Sequence, residues 1–468
     1  MARQQIPGPT VGPHRRHRQE RPATAGIRPS ESGAARTSPN PAPVSPALHA
    51  ALATESEDRI IYDLAGIGER YRSLVEELPG VDVRFAMKAC PVDQVLNHLA
   101  AQGAGFDAAS PNEIVQAVRT GVPPGRIHYG NTVKSDRNIA EAYRLGVRDF
   151  ATDSSEDVAA IAAHAPGARV FCRLATSGEG ALWGLSRKFG CSAEDAVLVL
   201  EAARAAGLTP AGLSVHVGSQ QMTADAWQEA FERIGDVLVS LRASGILLDH
   251  VNLGGGLPAL GYLDRRGNPL DPPLDKMFVV IREGMQRLRE IAGSELDFVM
   301  EPGRHLVADQ GAIKAHVLRL TSRRQLDGER EYWLYLSCGK FNGLYEMDEL
   351  QYRLVFPTHP DGEYVPAVVA GPSCDSDDAY AQEHRRVQVP GSVASGDPVW
   401  ILSSGAYATS YMTQGFNGFD PLPCGWTAGE PRAASSASSA VTDVTDVMDV
   451  MDLLDVTDVT DDEASRPA

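Results

Sequence analysis

Cysteines are few in this sequence, long apolar runs are missing, and anions outnumber cations. The six cysteines form no CxxC pair and have no metal-ligand spacing, so we expect neither a disulfide framework nor a bound metal, and a reducing cytoplasm fits. No run of about eighteen apolar residues occurs, and the amino terminus lacks the apolar core of a signal peptide, which predicts a soluble protein with no membrane contact. The net charge of −18 argues against nucleic acid as a partner, because phosphate recognition requires clustered cations.

The compositions of both ends of the chain predict disorder. Residues 1–55 are rich in Pro, Arg, Ser and Ala, with few large apolar side chains, so they cannot bury enough surface to fold. Residues 426–468 turn to Ala and Ser and then to an aspartate at every third position, a period that gives neither a helix nor a strand one apolar face. We therefore expect a basic tail and an acidic tail on either side of the folded region.

Between the tails, apolar runs alternate with amphipathic helical stretches. Residues 81–311 contain eight such runs, seven of them followed by a clear helical pattern, which predicts a (β/α)₈ TIM-type barrel. An open doubly wound sheet is the less favoured alternative, because polar or glycine-rich residues recur at nearly every strand end. Residues 312–425 instead contain β-type runs separated by Gly, Pro and Asp turns, a pattern typical of an antiparallel β domain. Residues 56–80 could add a strand to this second domain.

A lysine follows the first of these apolar runs. In VRFAMKAC, Lys88 stands where the run gives way to Pro91, at the carboxyl end of a strand, which is where a barrel places its chemistry. An amine at that position can form a covalent imine, although a lysine that ends a strand is more often simply solvated. The residues that surround Lys88 must therefore decide its role.

Polar residues and glycines follow other strands of the predicted barrel at the same end. They are Asp107, Arg173, His216, Gly254, Gly255, Gly256, Glu301 and Arg304. Because the carboxyl ends of parallel strands meet on one face of a barrel, we expect these residues to lie close to Lys88.

The glycine run and the EPGR segment predict a phosphate site. The glycines Gly254–Gly256 would expose the backbone N–H groups of a turn. The EPGR segment adds the N–H of Gly303 and, beside it, the cation Arg304. Ser219, in HVGSQ, could add a hydroxyl donor to the same phosphate.

Glu301 and His216 extend the prediction from a phosphate to a pyridine ring. A carboxylate beside a phosphate site needs a cationic partner, and a protonated pyridine nitrogen would be one. His216 could stack on that ring, although a histidine hydrogen-bonded within the core is the ordinary alternative. Together these residue types point to pyridoxal phosphate.

The motifs, taken in order, resemble one known family. They are AMKA, GFDAAS, CRLAT, LSRKFG, HVGSQ, LGGGLP, EPGR, GPSCDSDD and GAYATSYMTQGFNGF, within roughly residues 60–422. They resemble the pyridoxal-phosphate-dependent basic amino acid decarboxylases of the ornithine, diaminopimelate and arginine decarboxylase group, and most closely its ornithine decarboxylase branch. The resemblance implies an alanine-racemase-like fold, pyridoxal phosphate as cofactor, and decarboxylation of ornithine to putrescine in polyamine biosynthesis.

The resemblance also implies roles for matching residues. Lys88 would carry the cofactor covalently, and Cys374, delivered from the partner subunit of a homodimer with shared active sites, would protonate the product carbon. Asp375 would pair with the distal amine of the substrate. The residues that would hold the cofactor or support its site, besides Lys88, are Asp107, Arg173, His216, Ser219, Gly254, Gly255, Gly256, Glu301, Gly303, Arg304 and Tyr407.

The substrate is less well defined by these motifs. Where ornithine decarboxylases usually have Tyr-Asp in the loop that faces the substrate side chain, this sequence has Tyr345-Glu346, so lysine, arginine and diaminopimelate stay open as alternatives. Asp375 favours the ornithine branch, because the diaminopimelate branch usually has Cys-Glu at this motif. A non-catalytic regulatory homologue is a further alternative, although such a protein need not keep both Lys88 and Cys374. A racemase is less favoured, because it needs no site for a distal cation.

Overall fold

The computed structural model describes residues 44–184, 187–293, 295–380 and 386–427. Residues 1–43 of the predicted basic tail, residues 428–468 of the predicted acidic tail and the first two residues of the LSRKFG motif lie outside the described residues. No helix within these ranges has the length and apolar character needed to cross a membrane.

The described chain alternates helices and strands through its first three quarters and is mainly β-structure after that. The helices are α1 Pro46–Thr54, α2 Leu64–Glu77, α3 Asp93–Ala101, α4 Pro111–Arg119, α5 Asp136–Arg144, α6 Ser155–His164, α7 Ala193–Ala205, α8 Asp225–Ala243, α9 Leu274–Ala292 and α10 Arg304–Val307. The strands are β1 Arg59–Asp63, β2 Val81–Ala86, β3 Gly105–Ala108, β4 Ile127–Tyr129, β5 Asp149–Thr152, β6 Arg169–Arg173, β7 Ala181–Trp183, β8 Thr209–Ser214, β9 Ser219–Gln221, β10 His250–Asn252, β11 Asp297–Met300, β12 Gly311–Arg324, β13 Arg330–Leu336, β14 Leu354–Val355, β15 Tyr364–Ala370, β16 Ala379–Tyr380, β17 Val387–Pro390, β18 Pro398–Ile401 and β19 Cys424–Thr427.

Eight parallel strands close into a barrel, which confirms the predicted fold. Strands β2, β3, β4, β5, β6, β8, β10 and β11 pair in that order, and β11 closes the circle by placing Phe298 opposite Val81 of β2. These eight strands fall within the eight apolar runs of the sequence. Since all of them run parallel, their carboxyl ends meet on one face of the barrel.

Serines begin several of the helices that cover the barrel. Ser110, Ser135, Ser154 and Ser192 each accept a hydrogen bond from the backbone N–H three residues further on, at the starts of α4, α5, α6 and α7. Such N-caps satisfy one of the backbone donors that the first turn of a helix leaves unpaired. The sequence thus marks where four of the barrel loops end and α4, α5, α6 and α7 begin.

A short hairpin-like pair, β7 and β9, stands apart from the barrel sheet. It is antiparallel and places Trp183 opposite Ser219. Both side chains reach the same arginine, Arg304. The pair therefore carries one side of the site that lies above the barrel strands.

The remaining nine strands form one sheet that is mostly antiparallel. The amino-terminal strand β1 pairs antiparallel with β12 and parallel with β19, and β13 pairs parallel with β15. The predicted antiparallel β domain is thus mixed at these two parallel pairs. The parallel pairs arise because β1 and β15 join the sheet from distant parts of the chain and not through tight turns.

Helix α1 corrects the prediction that residues 1–55 form a disordered tail. Ser45 caps this helix by accepting a hydrogen bond from the N–H of Leu48 at 3.1 Å. Leu48 and Leu52, one turn apart, are buried in a small apolar cluster with Trp400. Two leucines on one helical face are enough to attach this segment to the sheet, despite its Ala-rich composition.

Candidate active site

A pocket opens at the carboxyl ends of the barrel strands. Most of the residues predicted for the site line this pocket. They are Lys88, His216, Ser219, Gly255, Gly256, Glu301, Gly303, Arg304 and Tyr407. The fold therefore brings Lys88 together with Tyr407, which is more than 300 positions away in sequence and follows no strand of the barrel.

Lys88 lies in a single 3₁₀ turn, Met87–Ala89, directly after strand β2. Its side chain is accessible to solvent, but the protein surrounds it within the pocket. Burial lowers the pKa of Lys88, whereas Asp107, Tyr407 and Glu301 raise it by more, so the net shift is upward. The amine is therefore a cation when nothing is attached to it.

Two carboxylates near Lys88 are held by residues that the sequence analysis missed. Glu301 Oε1 accepts a hydrogen bond from Asn252 Nδ2 at 2.5 Å and lies 2.8 Å from His128 Nε2. The same His128 nitrogen lies 3.2 Å from Asp107 Oδ1. Burial raises the pKa of Asp107, but His128 and Lys88 lower it further, so this carboxyl group is ionised.

The position of His128 and Asn252 explains why sequence analysis missed them. Both belong to barrel strands, in RIHYGN and DHVNLGGG, and do not follow a strand as the predicted site residues do. The signal that could have found them is a polar residue inside an otherwise apolar strand, since such a residue must find a partner in the barrel interior.

Because Gly130 has no side chain, the Asp107 carboxylate can lie directly against it. A methyl group at position 130 would lie 1.9 Å from Asp107 Oδ1, so Gly130→Ala must displace this carboxylate. We expect a loss of stability of about 1–3 kcal/mol from the overpacking, measured as a lower melting temperature. Turnover should fall by about tenfold or more, because the carboxylate beside Lys88 moves. Gly125→Ala is the matched control, since a methyl group there meets nothing within 4 Å, and equal effects of both variants would contradict this prediction.

Gly254, Gly255 and Gly256 allow the backbone to approach a phosphate. Gly254 and Gly256 have φ angles of +63° and +121°, which favour glycine, and a methyl group on Gly255 would lie 2.9 Å from a backbone oxygen. Gly255 and Gly256 line the pocket together with the Ser219 hydroxyl and the Arg304 guanidinium, whereas Gly254 shapes the turn behind them. This donor set fits a phosphate monoester, so the pocket fits the phosphate end of pyridoxal phosphate.

Arg304 is buried, and its guanidinium forms an ion pair with a carboxylate. Its Nη1 and Nη2 donate to the two oxygens of Glu346 at 2.6 Å each, and Nη1 also donates to the Tyr262 hydroxyl at 2.9 Å. Its Nε and Nη2 donate to Ser219 Oγ at 3.3 and 3.2 Å, and the Trp183 ring lies 4.5 Å from Cζ. Burial lowers the pKa of Arg304, but Glu346 raises it well above its ordinary value.

Glu346 thus lies in a different place from the one that the sequence suggested. The motif predicts that Glu346 faces the substrate side chain, whereas both of its oxygens contact Arg304 in this structure. A role toward the substrate would require Glu346 to leave Arg304. Tyr262 and Trp183, which complete the surroundings of Arg304, belong to no motif in the sequence and were not predicted.

Glu346→Gln is expected to destabilise the cofactor-free protein more than the cofactor-loaded protein. Without Glu346, Arg304 becomes a buried cation with no counter-charge, which costs about 3–5 kcal/mol, whereas a bound phosphate would supply that charge. Melting temperatures with and without pyridoxal phosphate measure the difference. Glu349→Gln is the control, because its pair with Arg265 is partly exposed, and we expect less than about 1 kcal/mol there. Equal losses with and without cofactor would mean that the phosphate does not reach Arg304.

His216 presents a neutral ring to the pocket. Its Nδ1 accepts a hydrogen bond from the backbone N–H of Gly218 at 3.0 Å. Burial and the nearby cations Arg173 and Lys88 lower its pKa well below the ordinary value, so the ring carries no charge. Arg173, at the end of β6, does not line the pocket, and its Cζ lies 5.0 Å from the Phe189 ring. Its positive charge nevertheless lowers the pKa values of His216 and Lys88.

Tyr407 begins a row of three tyrosines that leads out of the pocket. Its φ of +60° is unusual for a residue with a side chain, and its N–H donates to Ala89 O, next to Lys88, at 2.7 Å. Its ring lies 4.8 Å from Arg304 Cζ and stacks on Tyr411 at 5.8 Å, and Tyr411 stacks on the exposed Tyr345 at 4.3 Å. The predicted substrate residue Tyr345 thus lies at the outer end of this row.

Cys374 and Asp375 are not brought to the pocket by the fold of one chain. Both are exposed, and neither lines the pocket. Their loop is nevertheless well held, because buried Asp378 accepts hydrogen bonds from the N–H and hydroxyl of Ser373 at 3.1 and 2.6 Å. The loop therefore presents the thiol and the carboxylate at the surface in a defined orientation.

Comparisons with known proteins give one consistent result. A family model described as the pyridoxal binding domain of pyridoxal-dependent decarboxylases matches residues 64–308. The chain is 30% identical over 368 residues to lysine/ornithine decarboxylase of Selenomonas ruminantium, covering 78% of this chain and 88% of that enzyme. It is 27% identical to ornithine decarboxylase of Schizosaccharomyces pombe, covering 79% and 84%. Lysine/ornithine decarboxylase of Vibrio vulnificus, solved with putrescine, has a TM-score of 0.69 and 27% identity, covering 81% and 97%.

Proposed function

The chain belongs to the pyridoxal-dependent decarboxylases of basic amino acids and uses pyridoxal phosphate, and on that basis we propose that it converts ornithine to putrescine and CO₂. The observation that carries this proposal is the Lys88 amine, which shares one pocket with Glu301, His216 and the donors suited to a phosphate. The bound cofactor supplies an electron-withdrawing ring that accepts the electron pair left when CO₂ departs. The protein supplies binding, orientation and protons.

The two ends of the pocket have different tasks. At one end Ser219, Gly256 and Arg304 bind the phosphate and so fix the position of the ring relative to Lys88. At the other end the Glu301 carboxylate would accept a hydrogen bond from the protonated pyridine nitrogen and so stabilise the positive charge of the ring. The neutral imidazole of His216 covers the ring without adding a competing charge.

Lys88 and Asp107 control the proton at the reacting end. Lys88 would hold the cofactor covalently, and its upward-shifted pKa means that the free amine takes up a proton once the substrate amine has replaced it. Asp107 stays ionised and stabilises that ammonium group, so the displaced lysine remains in the pocket.

We place Cys374 and Asp375 in the pocket of a second copy of this chain. Support comes from their exposure and from the firm anchoring of their loop by Asp378. In a homodimer with shared sites, the Cys374 thiol would protonate the carbon that lost CO₂, and the Asp375 carboxylate would pair with the distal ammonium of the substrate. Each pocket would then be complete only in the dimer.

Ornithine is favoured by the short side chain of Asp375, and lysine is the second candidate. Lysine is kept as a candidate because both oxygens of Glu346 contact Arg304, so this carboxylate does not select the shorter substrate in this arrangement. The name of the Selenomonas relative, lysine/ornithine decarboxylase, is consistent with either substrate. One additional methylene is worth only about 1–3 kcal/mol of discrimination, so we expect both to be turned over, with ornithine preferred.

A substrate panel tests the proposal. Cofactor-loaded protein is incubated with ornithine, lysine, arginine or diaminopimelate, and both CO₂ and the matching amine are measured. We expect the highest kcat/KM for ornithine, and a higher value for lysine would replace ornithine in the proposal. If a protein that has bound the cofactor turns over none of the four, the non-catalytic regulatory homologue becomes the better interpretation.

A further inference from the structure

A buried histidine lies inside the barrel beside both carboxylates of the site. His128 is the middle residue of β4, it is 2% exposed, and its ring packs against Phe171 with 5.3 Å between centroids. Its Nε2 lies 2.8 Å from Glu301 Oε1 and 3.2 Å from Asp107 Oδ1. An imidazole in the interior of a barrel is costly without polar partners, so these contacts account for its presence there.

Arg84 determines which nitrogen of His128 carries the proton. Its Nη1 lies 3.1 Å from His128 Nδ1. A guanidinium group has only N–H donors, so at this distance Nδ1 must accept and the ring proton must be on Nε2. Arg84 is itself held by Asp82 at 3.1 Å and lies 3.8 Å from Asp149. Arg84 thus lies between the carboxylates of Asp82 and Asp149 and the imidazole of His128.

Opposing forces act on the charge of His128. Burial lowers its pKa, Asp107 and Glu301 raise it, and Arg84 lowers it, which leaves a pKa of about 9. A second proton would have to bind Nδ1, however, where it would point at a guanidinium that offers no acceptor. The contact with Arg84 decides between these tendencies, and His128 serves as a neutral Nε2–H donor.

Two side chains approach a single oxygen of Glu301. Asn252 Nδ2 donates to Glu301 Oε1 at 2.5 Å, and His128 Nε2 lies beside the same atom. The Asn252 amide cannot turn freely, because its Oδ1 accepts the N–H of Gly254 at 2.8 Å. Since Oε1 accepts the Asn252 amide and lies 2.8 Å from His128 Nε2, Oε2 is the oxygen that Glu301 can offer to another partner.

The neighbours of this cluster favour hydrogen bonding over metal binding. Its two carboxylates and its imidazole each offer one atom, and the three atoms lie within 4.8 Å of one another, as a cation would require. The N–H of Asn252, however, already points at one of those oxygens. The cations Arg84 and Lys88 also flank the cluster and would repel a metal ion.

We propose that His128 is a positioning residue for the cofactor. The Asn252 amide, which donates to Oε1 of Glu301, and His128 Nε2, which lies 2.8 Å from the same oxygen, would together position this carboxylate and leave Oε2 for the ring nitrogen of pyridoxal phosphate. Arg84 keeps His128 in the tautomer that this task needs. The inference rests on the proposed function, which gives Glu301 the ring nitrogen as its partner, and His128 acts on the cofactor only through Glu301.

The test compares two ligands that differ at the ring nitrogen. Pyridoxal phosphate and 1-deazapyridoxal phosphate, which has carbon in place of that nitrogen, are each titrated into cofactor-free protein to obtain dissociation constants. His128→Leu keeps the bulk of the side chain but removes the N–H. We expect it to weaken pyridoxal phosphate binding by about tenfold and binding of the analogue by less than about twofold, because the analogue offers Glu301 no nitrogen.

His128→Gln is the matched control. Its amide can accept from Arg84 and donate to Glu301 without a charge, so its affinity for pyridoxal phosphate should stay within about threefold of wild type. Equal losses for both ligands in His128→Leu would overturn the proposal, because His128 would then only support the shape of the pocket. A Gln variant as weak as the Leu variant would also overturn it, because a cation would then be required.

Folding and function are checked separately in the same experiment. The melting temperature of each cofactor-free variant shows whether it folds, and His128→Met replaces His128→Leu should the latter fail to fold. If wild-type protein bound neither ligand, the proposed function would fail. If wild type preferred pyridoxal phosphate to the analogue and the His128→Leu variant kept the same preference, the function would stand and the role of His128 would fail.

Discussion

Lys88→Ala is expected to lower CO₂ release from ornithine by roughly 10³-fold or more, because Lys88 supplies the only side-chain amine among the described residues that line the pocket. The fold should survive, since the Lys88 side chain is accessible to solvent and follows strand β2 in a single turn. Measurements of kcat and of the melting temperature test both statements. Lys188→Ala is the control, because Lys188 is an exposed cation 5.0 Å from the Phe189 ring and outside the pocket.

Chemical labelling identifies the lysine independently of turnover. Cofactor-loaded protein is reduced with borohydride, digested, and the labelled peptide is mapped. We expect the label on Lys88 in wild type and in Lys188→Ala, and no label in Lys88→Ala. Label on Lys134, which is buried and paired with Asp157 at 2.7 Å, or activity of Lys88→Ala within about tenfold of wild type, would refute the assignment.

The barrel and much of its site could be predicted because both depend on local sequence patterns. Each strand is an apolar run followed by a helical pattern, and each polar group that follows a run is carried to the same face by parallel pairing. Lys88, His216 and Glu301 were found in this way, and all three line one pocket. No long-range information was needed, because closure of the barrel brings the strand ends together.

The partners of these groups could not be predicted in the same way. His128 and Asn252 lie within strands, where only the closed barrel shows that they meet Glu301. The pairing of Arg304 with Glu346 joins the barrel to the β domain across 42 positions, and no periodicity links the two. Such contacts depend on the packing of separate elements, which a single sequence does not encode locally.

Composition misled the prediction for the segment before β1. The stretch around α1 is rich in Ala and Pro, and the average of residues 1–55 suggested disorder. The local pattern carried a different signal, with Ser45 as an N-cap and Leu48 and Leu52 one turn apart. An average over 55 residues hides a helix of 9, so windows of the length of one helix are the better measure for terminal segments.

Cys374→Ala alone is expected to slow turnover by about 10²- to 10⁴-fold or to misdirect protonation after CO₂ has left, because a positioned proton donor is lost. The location of the thiol leads to a sharper expectation. Cys374 is exposed and lies outside the pocket of its own chain, yet Asp378 holds its loop in a defined orientation. A firmly held, exposed thiol can serve the reaction only if another copy of the chain brings its pocket to it.

Mixing two inactive variants should therefore restore activity. In a dimer of one Lys88→Ala chain and one Cys374→Ala chain, one pocket lacks both groups, but the other combines Lys88 of the second chain with Cys374 of the first. Random exchange makes half of the dimers mixed, so about one quarter of wild-type activity should return. Mixing Lys88→Ala with a Lys88→Ala/Cys374→Ala double variant is the control and should restore none. If exchange is shown to occur and activity does not rise, Cys374 acts within its own chain or not at all, and the shared site must be abandoned.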